Sequence, residues 1–210
     1  MRPTPDKFTR VPGLLNEITD WIERSDPHPD RPMAFAAALS AFSLAISGKV
    51  RFLDVDPETR VLAIAPSGAG KTLALQRAVE LLRRAGFGDS IHDGFASPEA
   101  VRDLRGRGKP ILWRGEHFDQ WVFREKRFAD FLEAAFDNNG RPVVFHGQCS
   151  PEGFDKACRA SKRFLDFAME SIIIAAAPNA AARIAGGANA NAPDALVEAL
   201  ARWRDDRNLP

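Results

Sequence analysis

Residues 60–72, RVLAIAPSGAGKT, join a short apolar segment to a loop that contains two glycines and ends in a Lys-Thr pair. The apolar segment includes β-branched residues, is bounded by Pro66 and is typical of a buried strand in a parallel sheet. Residues 72–85 then place apolar side chains at helical spacing, and Gly86 ends that predicted helix. The order strand, glycine loop, helix is the local context that a phosphate-binding loop requires.

The glycines of this loop have a direct role in phosphate binding. Such a loop surrounds an anion with backbone N–H groups, and side chains at Gly68 and Gly70 would obstruct that approach. The dipole of the following helix favours the same negative charge. Lys71 is expected to contact the β and γ phosphates of ATP, and the Thr72 hydroxyl to ligate Mg²⁺. The consensus loop begins with Gly where this chain has Ala65, a small change that an ordinary negative φ tolerates. The predicted nucleotide-binding residues are Pro66, Ser67, Gly68, Ala69, Gly70, Lys71 and Thr72.

A second apolar segment is the candidate source of the catalytic acids. Enzymes that hydrolyse ATP with such a loop have a strand that ends in two acids, one for the metal and one that activates water. Residues 111–116, ILWRGE, match this pattern and make Glu116 the predicted general base, with Lys71 as the second catalytic residue. Gly115 occupies the position of the metal-side acid. Asp93 and Asp119 are alternative sources of that carboxylate, although each is also typical of a solvated residue.

Polar residues after a third apolar segment are candidates for sensing the γ-phosphate. Residues 171–176 predict a buried strand, and Asn179 follows it. Asn179 is either that sensor or a simple N-cap of the next helix. Arg183 is a candidate arginine finger, acting in cis or across a subunit interface, and its alternative is a solvated surface charge.

Apolar segments with strand and helix character alternate along the rest of the chain. This alternation predicts an α/β fold with a mainly parallel sheet flanked by helices. We expect a small N-terminal helical region over 1–56 and a core over 57–210. Further predicted elements are a strand over 50–55, a helix over 118–136, a strand over 143–145 and a helix over 154–169.

Composition and charge exclude few partners. The net charge of +1 does not indicate a nucleic-acid or membrane partner. The five basic residues within 102–114 either contact DNA phosphates or lie on solvated faces. The N-terminus lacks an apolar signal segment, and the longest apolar stretch, 33–46, is too short to span a bilayer. Cys149 and Cys158 match no zinc pattern and are expected to be reduced thiols. A soluble, cytoplasmic protein without a membrane partner is expected.

Three stretches give the chain a resemblance to a known family. They are the apolar helix 32–48 with Lys49-Val50-Arg51 after it, the segment 61–72, and residues 94–100, GFASPEA, and the resemblance covers about 30–180. The chain resembles the P-loop ATPase domains of phage and plasmid primase–helicase-like proteins, relatives of RecA-like replicative helicases. The resemblance implies a RecA-like or AAA-like core, ATP with Mg²⁺, a homo-oligomer that can form a ring, and action on DNA.

The resemblance also assigns residues and exposes departures. Lys71 and Thr72 match the family's phosphate loop. Glu116 matches the acidic residue that acts as its general base, and Asn179 falls near its third polar site. Family members usually have Asp-Glu where this chain has Gly115 followed by Glu116, and they extend further beyond the third site. A shortened member of the family is therefore expected.

Three functions follow from these patterns. The first is an ATPase that supports DNA replication or transfer in a phage or plasmid. The second is a nucleotide-binding regulatory or assembly module without efficient hydrolysis, which Gly115 favours. The third is a small-molecule kinase, for which residues 102–109 are the nearest candidate for an Arg-rich lid.

Overall fold

A sheet of five parallel strands forms the centre of the molecule. The structure, a computed structural model, describes residues 9–26, 30–50, 58–94, 97–136, 143–176 and 191–205. The strand order is β2-β3-β4-β1-β5, and every neighbouring pair is parallel. The strands are β1 Thr59–Ile64, β2 Ile91–Asp93, β3 Ile111–Gly115, β4 Val143–Cys149 and β5 Ile172–Ala175. The predicted α/β architecture with a parallel sheet and flanking helices is confirmed.

Helices cover both faces of this sheet. Those with bounds inside the described residues are α1 Leu14–Ser25, α2 Arg31–Ile46, α3 Lys71–Arg84, α4 Pro98–Gly106, α5 Glu125–Phe136, α6 Pro151–Ala160, α7 Lys162–Met169 and α8 Asp194–Asp205. Two 3₁₀ segments, Gly88–Ser90 and Phe118–Arg124, precede β2 and α5. None of the helices in the described ranges is both long and apolar enough to cross a membrane.

Alternating side chains of the strands divide the core into two clusters. On one face, Val61 and Val144 pack with the apolar residues of α1, α2, α3 and α8. On the other face, Leu62 and Phe145 belong to a cluster rich in Phe and Trp that includes residues of α4, α5, α6 and α7. Side chains on both faces of the inner strand β4 are buried, as expected for a strand inside a parallel sheet.

Helix α2 lies in the first cluster and is apolar on most of its surface. Its N-cap Asp30 accepts a hydrogen bond from the Met33 amide at 3.0 Å, and Pro32 occupies the first turn, where a missing N–H has no cost. The helix is tied to β4 by Ser40, whose hydroxyl lies 2.8 Å from His146 Nδ1. Burial lowers the pKa of His146 to about 3, with Arg114 as a further cause, so this ring is neutral in the folded protein.

Two predicted helices differ from the observed ones for local reasons. The segment 118–136 is a 3₁₀ turn followed by α5, because a 3₁₀ turn puts Phe118 and Trp121 on one side, with ring centroids 5.2 Å apart. The predicted helix over 154–169 is divided into α6 and α7 at Ser161. The Ser161 backbone is extended, with φ −141°, and its side chain accepts a hydrogen bond from the Phe164 amide at 3.3 Å, which starts a new helix.

The strand predictions also need corrections. Strand β4 continues to Cys149, four residues beyond the predicted end, and each of its residues is buried. Strand β5 is present but is not the buried strand expected, since it pairs only with β1 and leaves Ile172 and Ile173 47% and 45% exposed. The short strand β2 was not predicted. Residues 51–57 lie outside the described residues, and with them most of the strand predicted over 50–55.

Candidate functional site

The glycine loop lies at the carboxyl end of β1 and leads directly into α3. Strand β1 is central in the sheet, with Ile64 paired to Cys149 of β4 and to Ala175 of β5. Gly68 and Gly70 have φ values of 79° and 80°, in the left-handed region that costs other residues about 1 kcal/mol or more. Both glycines are therefore used for their backbone conformation, whereas the sequence pattern indicated only that side chains there would obstruct a bound anion. The loop presents the N-terminus of α3 to solvent, where anions are favoured.

The Lys71 side chain is directed back into this loop. Its ammonium group donates hydrogen bonds to the carbonyl of Ala65 and, at 2.8 Å, to that of Pro66. Burial lowers the pKa of Lys71, which means that its charged form is incompletely solvated in this position. A partly desolvated cation held against a loop of backbone amides is a strong attraction for an anion.

Gln148 is a site residue that sequence reasoning missed. It lies on β4, buried, and accepts a hydrogen bond from the Thr72 hydroxyl at 3.2 Å, while its amide donates to the Lys71 carbonyl at 3.0 Å. One side chain from a neighbouring strand thus holds the first two residues of α3. The available signal was a Gln within an otherwise apolar run, VVFHGQC at 143–149, which indicates a buried polar group with a specific partner.

The Gln148→Leu variant should separate this anchoring role from bulk packing. Leu keeps most of the volume but leaves the Lys71 carbonyl and the Thr72 hydroxyl without their partner, so we expect the free energy of unfolding to fall by about 1–3 kcal/mol. Urea unfolding measures this change. The matched control is Gln120→Leu, since Gln120 lies on the same cavity but is exposed. Equal stability of the two variants would show that Gln148 does not anchor α3.

Glu116 follows β3 across a cavity from the glycine loop. The cavity has a volume of about 580 Å³, and its lining includes the loop residues 67–72, Glu116 and Gln148. Glu116 and His117 are exposed, and His117 has a φ of 49°, unusual for a residue with a side chain. The backbone N–H of Gln120 donates a hydrogen bond to the His117 carbonyl at 2.9 Å, so this turn begins the 3₁₀ segment. The predicted general base therefore faces the same solvent-filled space as Lys71.

The structure explains why no acid occupies position 115. A Cβ at Gly115 would lie 2.9 Å from Phe145 Cζ and 3.4 Å from Phe118 Cδ2. A Cβ at the neighbouring Gly147 would lie 2.7 Å from a methyl carbon of Leu62 and 3.2 Å from the same Phe118 ring. The Phe145 ring therefore occupies the space that a side chain at Gly115 would need, and Leu62 and Phe145 occupy the space beside Gly147, with Phe118 next to both.

Asp119 is the residue that follows Phe118 in the chain. It lines the cavity and is only partly exposed, and burial is the main cause that raises the pKa of its carboxyl. Its Oδ1 atom is buried and has no hydrogen-bond partner among the described residues. Burial, followed by the charge of Asp119, also raises the pKa of the Cys149 thiol to about 12, which leaves that thiol protonated and unreactive.

The basic residues of 102–114 do not form one surface. Arg105 is buried and donates to the Ala134 carbonyl at 2.8 Å, Lys109 pairs with Asp89, and Arg114 pairs with Asp93. Arg102 and Arg107 are exposed. Among the cavity-lining residues in the described ranges, none comes from 102–109. The ion pair with Arg114 also removes Asp93 as a free acid.

The remaining predicted residues fall elsewhere. Asn179 and Arg183 lie outside the described residues and stay predictions. Cys149 and Cys158 are free. In the described part of the chain, no group of three or more His, Cys, Asp or Glu side chains forms a metal cluster.

Comparison with known proteins adds no identity to this geometry. A scan against protein-family models finds no match, and a search of curated proteins finds none either. The structure brings the loop residues 67–72, Glu116, Asp119 and Gln148 to one cavity. The function must follow from that arrangement.

Proposed function

We propose that this protein is an ATP-binding P-loop NTPase that places the nucleotide phosphates on residues 66–72. One observation supports this most directly. Gly68 and Gly70 adopt left-handed conformations between the end of a central strand and the first turn of α3, with the Lys71 ammonium group folded onto the loop. Backbone amides, a helix N-terminus and a cation together suit a polyphosphate better than a neutral ligand.

The nucleotide would be bound together with magnesium. Thr72 supplies a hydroxyl and Gln148 an amide oxygen at 3.2 Å from it, and oxygen atoms are the ligands that Mg²⁺ prefers. A bound Mg²⁺ neutralises part of the phosphate charge. Lys71 would leave its carbonyl partners for the β and γ phosphates, which favours binding because those carbonyls are neutral and phosphates are charged.

Hydrolysis would use Glu116 as the general base. Glu116 lines the same cavity as loop residues 67–72, and the cavity volume of about 580 Å³ would accommodate a phosphate and an attacking water. Its carboxylate would accept a proton from that water as the water attacks the γ-phosphate. The resemblance to phage and plasmid primase–helicase-like ATPases supports a homo-oligomer that works on DNA, with Asn179 and Arg183 as its sensor and arginine finger.

A second function is favoured by one specific observation. Position 115 has no side chain and no space for one, because Phe145 and Phe118 pack against it. A site without the usual metal-side acid on this strand fits a nucleotide-dependent regulatory or assembly module that binds ATP and turns it over slowly. The two functions differ in the rate of phosphate release, not in binding.

The Lys71→Ala variant tests nucleotide binding. We expect ATP affinity to fall by about 10- to 100-fold, because a hydrogen bond to a charged group contributes about 1.5–3 kcal/mol. Calorimetric titration of ATP with Mg²⁺ measures this. Lys162→Ala is the control, since Lys162 is exposed on α7 and is not among the cavity-lining residues. Equal ATP affinity of wild type and Lys71→Ala would contradict the proposal.

Phosphate release then distinguishes the two functions. The assay uses wild type and Glu116→Gln, with and without single-stranded DNA. Release that rises with DNA and is lost in Glu116→Gln indicates a DNA-linked ATPase with Glu116 as its base. ATP binding that depends on Lys71 without measurable release indicates the regulatory module.

A further inference from the structure

We infer that Asp119 supplies the metal-side carboxylate that Gly115 lacks, so that magnesium bound with the nucleotide lies between Thr72 and the start of the 3₁₀ segment. This inference rests on the proposed function and names a further residue of that site. It places the acid four positions beyond the usual one, on a turn instead of on the strand.

The first support is the way Phe118 positions its neighbour. The Phe118 ring is fully buried and lies 4.6 Å from the Phe145 ring and 5.4 Å from the Phe164 ring, measured between centroids. The Phe145 ring, on which Phe118 packs, is the one that a Cβ at Gly115 would meet at 2.9 Å. Phe118 therefore anchors the turn that places the next residue, Asp119, on the cavity.

The second support is the incomplete set of contacts at Asp119. Its Oδ1 atom is buried without a hydrogen-bond partner in the described ranges, and Asp119 is one of the residues that line the cavity together with the glycine loop. A buried carboxylate oxygen left without a partner costs about 1–3 kcal/mol or more. A cation in the cavity would remove that cost, whereas Asp93 already pairs with Arg114.

The donor set also fits magnesium. Thr72, Gln148 and Asp119 offer a hydroxyl, an amide and a carboxylate oxygen on one cavity, and the nearby Cys149 thiol stays protonated. Magnesium usually combines one or two carboxylates with phosphate oxygens and water, so a single acid is sufficient.

A purely structural role for Asp119 is the alternative. A Cβ at Gly153, in the first turn of α6, would collide with the Asp119 carboxylate, so the acid packs closely on that helix end. A negative charge there also interacts favourably with the dipole of α6. This role predicts a loss of stability on substitution but no change in how ATP binding responds to metal.

The test compares ATP affinity in Mg²⁺ and in EDTA for wild type, Asp119→Asn and Asp93→Asn. We expect Asp119→Asn to lose about 10-fold or more of the affinity gained from Mg²⁺, and to bind ATP in EDTA as well as wild type or better, since a negative charge near the phosphates is removed. Asp93→Asn is a matched change of an acid at another strand end and should keep the full metal response.

A second measurement uses the wild-type protein alone. Mn²⁺ bound with ATP should broaden the NMR signal of the Asp119 amide more strongly than that of Asp93. A retained Mg²⁺ response in Asp119→Asn, or equal broadening at both amides, overturns the inference while binding still depends on Lys71. Absence of ATP binding by wild type overturns the proposed function and this inference together.

Discussion

Gly115→Asp should destabilise the protein and fail to raise phosphate release, although it creates the Asp-Glu pair usual in the resembling family. The new Cβ would lie 2.9 Å from Phe145 Cζ, a closer approach than side chains tolerate. Overpacking of a core costs about 1–3 kcal/mol, and a carboxylate on this buried aromatic face adds a desolvation cost, so we expect a total loss of about 3 kcal/mol or more.

Gly115→Ala is the control that separates the two costs, because it adds the Cβ without the charge. We expect Ala to lower the free energy of unfolding by about 1–3 kcal/mol and Asp to lower it further, as measured by urea unfolding. Phosphate release from ATP is measured on the same samples at a temperature where each is folded. An Asp variant with wild-type stability and faster release would show that position 115 has room for the acid and that Asp119 is not needed.

Phe118→Ala should produce the largest loss of stability among substitutions in the aromatic cluster. Phe118 has no exposed surface, and its ring contacts the rings of Phe145, Phe164, Phe167 and Trp121 at centroid distances of 4.6 to 5.4 Å. Removal of a buried Phe side chain costs about 3–5 kcal/mol through lost burial and the cavity that remains. Loss of the Phe118 ring also removes the anchor of the turn that holds Asp119. We therefore expect the Mg²⁺ dependence of ATP binding to become weaker.

Denaturant unfolding measures the stability loss, and Leu165→Ala is its control. Leu165 lies on α7 and is 41% exposed, so its truncation should change the free energy of unfolding by about 0.5 kcal/mol or less. A loss below about 1 kcal/mol for Phe118→Ala would contradict the packing described here.

Several elements of the fold follow from local patterns along the chain. The apolar run before the glycine loop predicts β1, the helical spacing after it predicts α3, and Ser97 with Pro98 predicts the start of α4. Each pattern acts within a few residues, so it survives whatever packs against it. The same reasoning missed the division at Ser161 and the 3₁₀ turn at Phe118, where a local hydrogen bond or an aromatic contact overrides the apolar periodicity.

The candidate site could be predicted only in part, because some of its contacts join segments that are distant along the chain. Sequence is sufficient to place the glycine loop between a strand and a helix, because Gly68, Gly70 and Lys71 lie within four consecutive positions. It also places Glu116 at the end of a strand. It could not reveal Gln148, which contacts Lys71 and Thr72 only because β4 pairs with β1.

Position 115 shows the same division most clearly. The chain itself determines that Gly replaces an acid there and that Asp119 follows four residues later. Only the tertiary structure decides that Phe145 fills the space beside Gly115 and that Asp119 lies on the cavity, because those contacts join residues from β3, β4 and the 3₁₀ segment. Local patterns determine which backbone conformations are available, whereas side-chain contacts between distant segments determine which groups share a site.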